Sequence, residues 1–111
     1  MSNENALLKF LEAENSRDWD QYMRYLHPSV EWTLFAISGS QSMQGIENYM
    51  ERIISAYEDN NDSFVCEQRY SSQSGTRIVT VLCNNHGQRS IDVFDFEDGL
   101  IRAEYEFLLN E

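Results

Sequence analysis

The chain has 111 residues, and its 8 Lys and Arg against 19 Asp and Glu give a net charge of −11, which predicts one compact acidic domain over residues 1–111. Its 41% hydrophobic and 13% aromatic residues are enough to form a core and exclude an acidic disordered tail, in which aromatic residues are scarce. One Lys and seven scattered Arg form no basic patch, so we expect neither nucleic acid nor an anionic membrane as a partner.

The first residues, MSNENALLKF, lack the basic start and apolar stretch of a secretory signal, and no segment approaches the roughly 20 apolar residues of a membrane span. We therefore expect a cytoplasmic protein. Cys66 and Cys83 lie in separate strand-like segments without metal-ligand spacing. Buried reduced thiols are the ordinary interpretation, and a disulfide between adjacent strands stays open.

Three helices are predicted in the first half of the chain. Apolar residues at helical spacing indicate an amphipathic helix over residues 3–16. Asp18 is typical of an N-cap and starts a short second helix, which His27 and Pro28 end. A third helix is predicted over residues 46–57, before a polar EDNND segment.

The remaining segments indicate strands. VEWTLFAI, residues 30–37, is rich in β-branched and aromatic residues, with Pro28 in the turn before it and a polar loop predicted over residues 39–45. Asp98-Gly99 is the sharpest hairpin signal in the chain. The four strands predicted after the third helix are residues 63–71, 76–84, 89–97 and 100–109.

Helices first and hairpin-linked strands last indicate an α+β domain whose antiparallel sheet packs its concave face on the helices. In the segment IVTVLC, residues 78–83, the residues of both parities are largely apolar, which indicates a strand buried on both faces. The outer face of the sheet is therefore our candidate for a homodimer contact, and the alternative is that loops or bulky neighbours cover it.

Three segments in the right order resemble the nuclear-transport-factor-2-like superfamily, and in particular its SnoaL-like polyketide cyclases and steroid Δ-isomerases. They are FLEAENSRDWDQYMRYLHPSVEW, GIENYMERI and IDVFDFEDGLIRAEYEFL, and the last is the most specific. The resemblance implies a cone-shaped, cystatin-like fold in which three N-terminal helices pack on the concave face of a strongly curved, mostly antiparallel sheet. It also implies an apolar pocket at the closed end of the cone.

The alternation in IDVFDF, residues 91–96, independently places Asp92, Phe94 and Phe96 on one face. A carboxyl buried beside two rings has a raised pKa, which suits a general acid or base near neutral pH. The resemblance implies that Asp92 stands at the acid position of the isomerases and cyclases. The alternative is a structural acid that is hydrogen-bonded to a tyrosine or an arginine.

Two other positions depart from the isomerase pattern. Trp32 stands where the resemblance places the proton-shuttling aspartate, and Phe10 stands where it places a tyrosine, so the steroid isomerase mechanism is disfavoured. Hydrogen-bond donors among the pocket residues could still stabilise the enolate formed when a proton is removed from a carbonyl compound. The residues expected to line the pocket are Phe10, Tyr22, Trp32, Tyr49, Ile53, Tyr57, Phe94 and Phe96, for which packing in the core is the alternative.

The remaining polar residues have ordinary interpretations. His27 is expected to cap the second helix, and His86 to lie in a solvated turn. We expect no metal and no cofactor, because the histidines and acids have no ligand spacing. Glutamates expected on solvated faces of the helices and of an edge strand are Glu12, Glu14, Glu47, Glu51, Glu104 and Glu106.

Taken together, these features predict a protein that binds an apolar small molecule, with acid/base chemistry by Asp92 on a hydrophobic carbonyl-containing ligand, as in a cyclase-type lyase or isomerase. The alternatives are a non-catalytic binding module and a dimerisation domain on the same scaffold.

Overall fold

A computed structural model describes residues 1–109, so residues 110 and 111 of the predicted domain lie outside the described part. The helices are α1 (Asn3–Ser16), α2 (Trp19–Met23) and α3 (Ile46–Ala56). The strands are β1 (Leu26–Ala36), β2 (Gly39–Gln44), β3 (Phe64–Ser71), β4 (Arg77–Asn84), β5 (Arg89–Glu97) and β6 (Leu100–Leu108).

The six strands form one mixed sheet in the order β2-β1-β6-β5-β4-β3. β1 and β6 are parallel, and all other neighbouring strands are antiparallel. One face of the sheet packs on the three helices. The largest fully buried side chains at this contact are Phe10, Tyr22, Tyr49, Phe94, Ile78 and Ile101. The predicted α+β fold, with three helices on one face of a mostly antiparallel sheet, is confirmed.

Local sequence signals explain the helix ends. Ser2 caps α1 by accepting a hydrogen bond from the Asn5 amide, and Asp18 caps α2 as predicted, by accepting one from the Gln21 amide. Between them Arg17 adopts a left-handed conformation, with φ of 60°, which turns the chain from α1 into α2.

Two local predictions about the strands are wrong. Residues 39–44 form the edge strand β2 instead of a polar loop, because backbone pairing with β1 overrides their weak strand propensity. Pro28 lies inside β1 instead of in a turn before it. Its missing N–H is tolerated there because the pairing of β1 with β6 is interrupted between Leu26 and Glu31.

A bulge in the last hairpin decides which side chains face inward. Phe96 pairs with Ile101 but Asp95 pairs with Ala103, so Arg102 is an extra residue in β6. Beyond this point each β6 side chain lies on the face opposite to the one that a regular hairpin would give it. Tyr105 therefore lies on the outer face, and Glu104 faces the helices.

The cysteines cannot form the disulfide that the sequence left open. Cys66 pairs with Leu82 and Cys83 pairs with Val65. Since paired residues share a face and consecutive residues alternate, the two thiols lie on opposite faces of the sheet. Both cysteines are free.

No helix among the described residues is both long enough and apolar enough to span a bilayer.

Candidate functional site

A cavity of about 230 Å³ lies between the helices and the concave face of the sheet. Its apolar wall includes Leu11, Ile53 and Leu82, and its rings include Trp32 and Phe64. The polar residues of the wall are Glu14, Arg52, Asp62, Ser90, Asp92, Glu104 and Glu106. The cavity thus combines an apolar wall with several acids and one arginine.

The structure brings six of the nine sequence-predicted site residues to this wall. These six are Asp92, Tyr22, Trp32, Ile53, Tyr57 and Phe94. The other three, Phe10, Tyr49 and Phe96, lie in the core behind it. Phe10 stacks on Tyr22 with ring centroids 4.1 Å apart.

Three carboxyls meet on the inner face of two neighbouring strands. Asp92 on β5 is directly opposite Glu106 on β6, and Glu104 is two residues earlier on the same face. One oxygen from each carboxyl lies within 4.8 Å of the others. Asp92 is only 3% exposed and Glu104 only 7%. This concentration of acid is the main polar feature of the cavity.

The prediction that Glu14, Glu104 and Glu106 lie on solvated faces is wrong, since all three line the cavity. For the two residues of β6 the reason is the bulge at Arg102, which moves the glutamates inward and Tyr105 outward. β6 is also central in the sheet instead of at an edge. The alternation of Glu and aromatic residues in EYEF shows that the two glutamates share one face of β6. Whether that face is the inner or the outer one depends on the bulge, which the alternation does not show.

Asp92 is held by its own strand. The Ser90 hydroxyl donates a hydrogen bond of 2.6 Å to Asp92 Oδ1. Burial raises the pKa of the Asp92 carboxyl well above its ordinary value, the nearby Glu106 raises it further, and the bond from Ser90 opposes the rise. The protonated form of Asp92 is therefore favoured.

Glu104 ends a hydrogen-bonded line that crosses the core. The Tyr49 hydroxyl donates to Glu104 Oε1 over 2.5 Å, and the Tyr22 and Tyr49 hydroxyls are 2.9 Å apart. Burial, then Asp92, raises the pKa of Glu104 well above its usual range. Burial also raises the pKa of both tyrosines, so they stay protonated and act as donors.

Glu106 has a different environment from its two neighbours. The Trp32 indole Nε1 donates to Glu106 Oε1 over 3.2 Å. Burial raises the pKa of Glu106, but the indole bond and the Arg52 guanidinium both lower it. Of the three carboxyls on the sheet, Glu106 therefore has the surroundings that best support a negative charge.

A fourth carboxyl, Glu14 of α1, faces the cavity from the helical side. It accepts a hydrogen bond from the Tyr57 hydroxyl, and the Arg17 guanidinium lies 4.1 Å from the centroid of the same ring. Burial raises the pKa of Glu14 to about 7, while the bond from Tyr57 opposes the rise.

Two clusters of potential metal ligands occur among residues 1–109. The Asp92, Glu104 and Glu106 oxygens are close together, but over the described residues every buried side-chain polar atom already has a hydrogen-bond partner. In the second cluster, His27 Nδ1 accepts from the Ser29 amide, so Nε2 carries the proton and faces Glu97 at 3.2 Å.

The two histidines lie outside the cavity wall. The sequence predicted that His27 caps α2. This prediction is wrong, because α2 ends at Met23 and His27 lies in β1. His86 lies in the exposed turn between β4 and β5, as expected, with Nε2 3.0 Å from Asp62.

Comparison with known proteins places the chain among small domains of this shape. The model of the SnoaL-like domain matches residues 7–104. A search of curated proteins found no match. An NTF2-like protein from Cytophaga hutchinsonii superposes with a TM-score of 0.78 at 15% identity, over 98% of this chain and 91% of that one.

Two further solved structures are similar. A protein with a cystatin-like fold from Methylobium petroleophilum gives a TM-score of 0.82 at 15% identity, over 98% of this chain and 76% of that one. The protein RV0760c from Mycobacterium tuberculosis, in complex with estradiol-17beta-hemisuccinate, gives 0.79 at 14% identity, over 99% and 96%. At these identities the likeness shows a shared fold.

Proposed function

Because the chain belongs to the SnoaL-like domain family, we propose that its cavity binds an apolar small molecule with a carbonyl group and that Asp92 acts on it as an acid/base. The observation that carries this proposal is the position of Asp92, whose carboxyl is buried on the wall of the cavity beside Phe94. A protonated carboxyl in such a place can donate a hydrogen bond or a proton to a carbonyl oxygen.

The volume of the cavity limits the size of the ligand. Pockets for drug-sized molecules occupy about 300–1,000 Å³, and this cavity has about 230 Å³. RV0760c, which has a similar fold, is in complex with a steroid derivative. For this chain we propose a smaller apolar ketone with one or two rings.

The steroid isomerase mechanism is not part of this proposal. Trp32 offers an indole N–H, which is already donated to Glu106, and Phe10 has no polar atom and packs behind Tyr22. Neither side chain can take a proton from a substrate at its position. The acid/base work therefore falls to the carboxyls of β5 and β6.

The binding part of the proposal is tested with α-tetralone, a two-ring aromatic ketone. We expect it to raise the unfolding temperature of the wild type, and Phe94→Trp to abolish this effect by filling the cavity. Phe35→Trp is the matched control, because Phe35 stacks on Phe107 away from the cavity wall. An α-tetralone shift that is absent in the wild type, or unchanged in Phe94→Trp, would contradict binding in this cavity.

The acid/base part is tested by ¹³C NMR titration of the Asp92 carboxyl. We expect a midpoint well above the value of about 3.9 that is typical of an unperturbed aspartate. A midpoint at or below that value would mean that Asp92 is ionised at neutral pH and cannot donate a proton, and it would leave a binding module without chemistry.

The outer face of the sheet favours a second role as a dimerisation surface. Val79 and Val81 of β4 are half-buried there, and Phe107 and Tyr70 are 39% and 61% exposed. A sheet face this apolar is typical of a protein interface. We propose that a second copy of the chain covers it.

We also propose a cytoplasmic location, where Cys66 and Cys83, which lie on opposite faces of the sheet and cannot pair with each other, would stay reduced.

A further inference from the structure

We infer that Glu106 is the proton acceptor and Asp92 the proton donor of the cavity, so that the two carboxyls together convert a bound ketone into its enol. This inference rests on the proposed function and assigns a second catalytic residue to it. Three observations carry it: the register of the two strands, the different partners of the two carboxyls, and their shared access to the cavity.

The register places the two carboxyls side by side. Asp92 and Glu106 are directly opposite on β5 and β6, and both line the cavity. Directly opposite residues of an antiparallel pair have Cβ atoms about 4.5–5.5 Å apart. A ketone between them can therefore present its carbonyl oxygen to one carboxyl and an α-carbon to the other.

The partners of the two carboxyls divide the roles between them. Two carboxyls this close do not readily carry two negative charges, so one of them holds a proton. Glu106 accepts from the Trp32 indole and faces the Arg52 guanidinium, and both favour its charged form. Asp92 is more deeply buried, its hydrogen-bond partners are the Ser90 hydroxyl and the Glu104 carboxyl, and it is therefore the protonated member of the pair.

Other titratable groups face this pair from the surrounding elements. They are Glu14 of α1, Tyr22 of α2, Tyr49 and Arg52 of α3, Tyr57 at the end of α3, Asp62 before β3, Cys66 of β3 and Glu104 of β6. Glu104 is next to the pair and is hydrogen-bonded to Asp92, but its Oε1 is engaged by Tyr49. We therefore assign it to fixing the tyrosines and not to proton transfer.

The proton transfers balance without another reactant. A Glu106 oxygen takes the α-proton, and the electrons of that C–H bond form the C=C bond of the enol. The π electrons of the carbonyl move to its oxygen, which takes the proton of Asp92. Glu106 is then protonated and Asp92 ionised, and the reverse step restores both. In D₂O the proton on Glu106 exchanges with solvent while the enol is bound, so the reverse step returns a deuteron to the α-carbon.

The experiment measures deuterium incorporation at the α-carbon of α-tetralone in D₂O, across pH, by NMR. The variants are Asp92→Asn and Glu106→Gln, and Glu31→Gln on the outer face of β1 is the control. We expect kcat to fall by about 100-fold or more in each cavity variant with KM within about threefold. We expect the control to match the wild type.

The pH profile separates a catalytic role from a structural one. A base that must be ionised and an acid that must be protonated give the wild type a bell-shaped profile. We expect residual activity to lose the rising limb in Glu106→Gln and the falling limb in Asp92→Asn. Trp32→Phe removes the indole donor but neither carboxyl, so it should move the rising limb to higher pH. Thermal unfolding confirms that each variant is folded.

Each contrary result has a distinct meaning. A Glu106→Gln variant with wild-type exchange and an unchanged rising limb overturns the role of Glu106 while Asp92 keeps its proposed function. Exchange that survives in both variants overturns both assignments. A wild type that binds α-tetralone without exchanging its α-protons overturns the enolisation and leaves binding intact, whereas a wild type that does not bind it contradicts the proposed function itself.

Discussion

Glu14 links the stability of the fold to pH. Its pKa of about 7 in the folded protein exceeds its ordinary value of 4.5, because the carboxyl loses water on burial. The folded state therefore binds a proton more tightly than the unfolded state. The resulting stability is fully present below about pH 4.5 and is lost as the pH rises through about 7. Raised pKa values at Asp92 and Glu104 act in the same direction.

We predict that Glu14→Gln stabilises the protein at pH 8 by roughly 2 kcal/mol and has a much smaller effect at pH 5, because it removes an ionised buried carboxyl at the higher pH. Urea unfolding at the two pH values measures the difference. Glu12→Gln, at an exposed position on the same helix, is the control. An equal effect of Glu14→Gln at both pH values would show that Glu14 does not titrate in this range.

Single residues differ in how well the sequence predicts them. The alternation over residues 91–96 is sufficient to predict that Asp92 and Phe94 share the inner face, and it does so because β5 is regular there. The inward position of Glu106 was beyond prediction, since one extra residue in β6 reverses the face. Glu14 was also missed, because the helical pattern does not show that Tyr57 would reach it.

At the scale of elements, the hairpin between β5 and β6 depends on two left-handed residues. Asp98 has φ of 54° and Gly99 has φ of 78°. Such a pair is typical of the two-residue turn that matches the twist of the strands. A Cβ at Gly99 would have no atom within 4 Å, so a side chain there would be disfavoured only by the left-handed backbone conformation.

We predict that Gly99→Ala lowers the free energy of unfolding by about 1–2 kcal/mol, the cost of a left-handed conformation for a residue with a Cβ. Equilibrium urea unfolding measures it. Asp98→Asn is the matched control and should be close to neutral, since asparagine tolerates this conformation. An unchanged stability in Gly99→Ala would mean that the turn relaxes into another type.

Prediction of the elements succeeded where their periodicity is strong and failed where pairing decides. The helices α1 and α3 and the strands β3 to β6 follow from apolar spacing and turn residues. β2 could not be predicted, because GSQSMQ becomes a strand only through its pairing with β1. The parallel pairing of β1 with β6 joins distant segments and leaves no local pattern.

At the scale of the whole molecule, the outer face of the sheet should control association. On the inner face Ile78 and Leu82 are buried by the helical side of the fold. On the outer face Val79, Val81 and Tyr105 keep part of their surface exposed in a single chain. Apolar area of this kind stabilises a dimer by about 25 cal/mol per Å² removed from water, before the cost of association.

We predict that sedimentation velocity finds the wild type at twice the mass of one chain at micromolar concentration. Val81→Asp should shift it to the monomer, because it introduces a charge into the apolar outer face. Gln41→Asp, an exposed position on the edge strand β2, should stay dimeric. A monomeric wild type would contradict the proposed interface.

The bulge at Arg102 sets the register between β5 and β6, and this register decides whether the fold contains a cavity. Without this one residue, Tyr105 and Phe107 would face the helices and fill the cavity with apolar side chains. Glu104 and Glu106 would then place their negative charges on the outer face of the sheet. The cavity would be filled, and the apolar outer face of the sheet would become charged. Removal of a single residue from this hairpin would therefore abolish the cavity of this chain, although every ionisable side chain around it is retained.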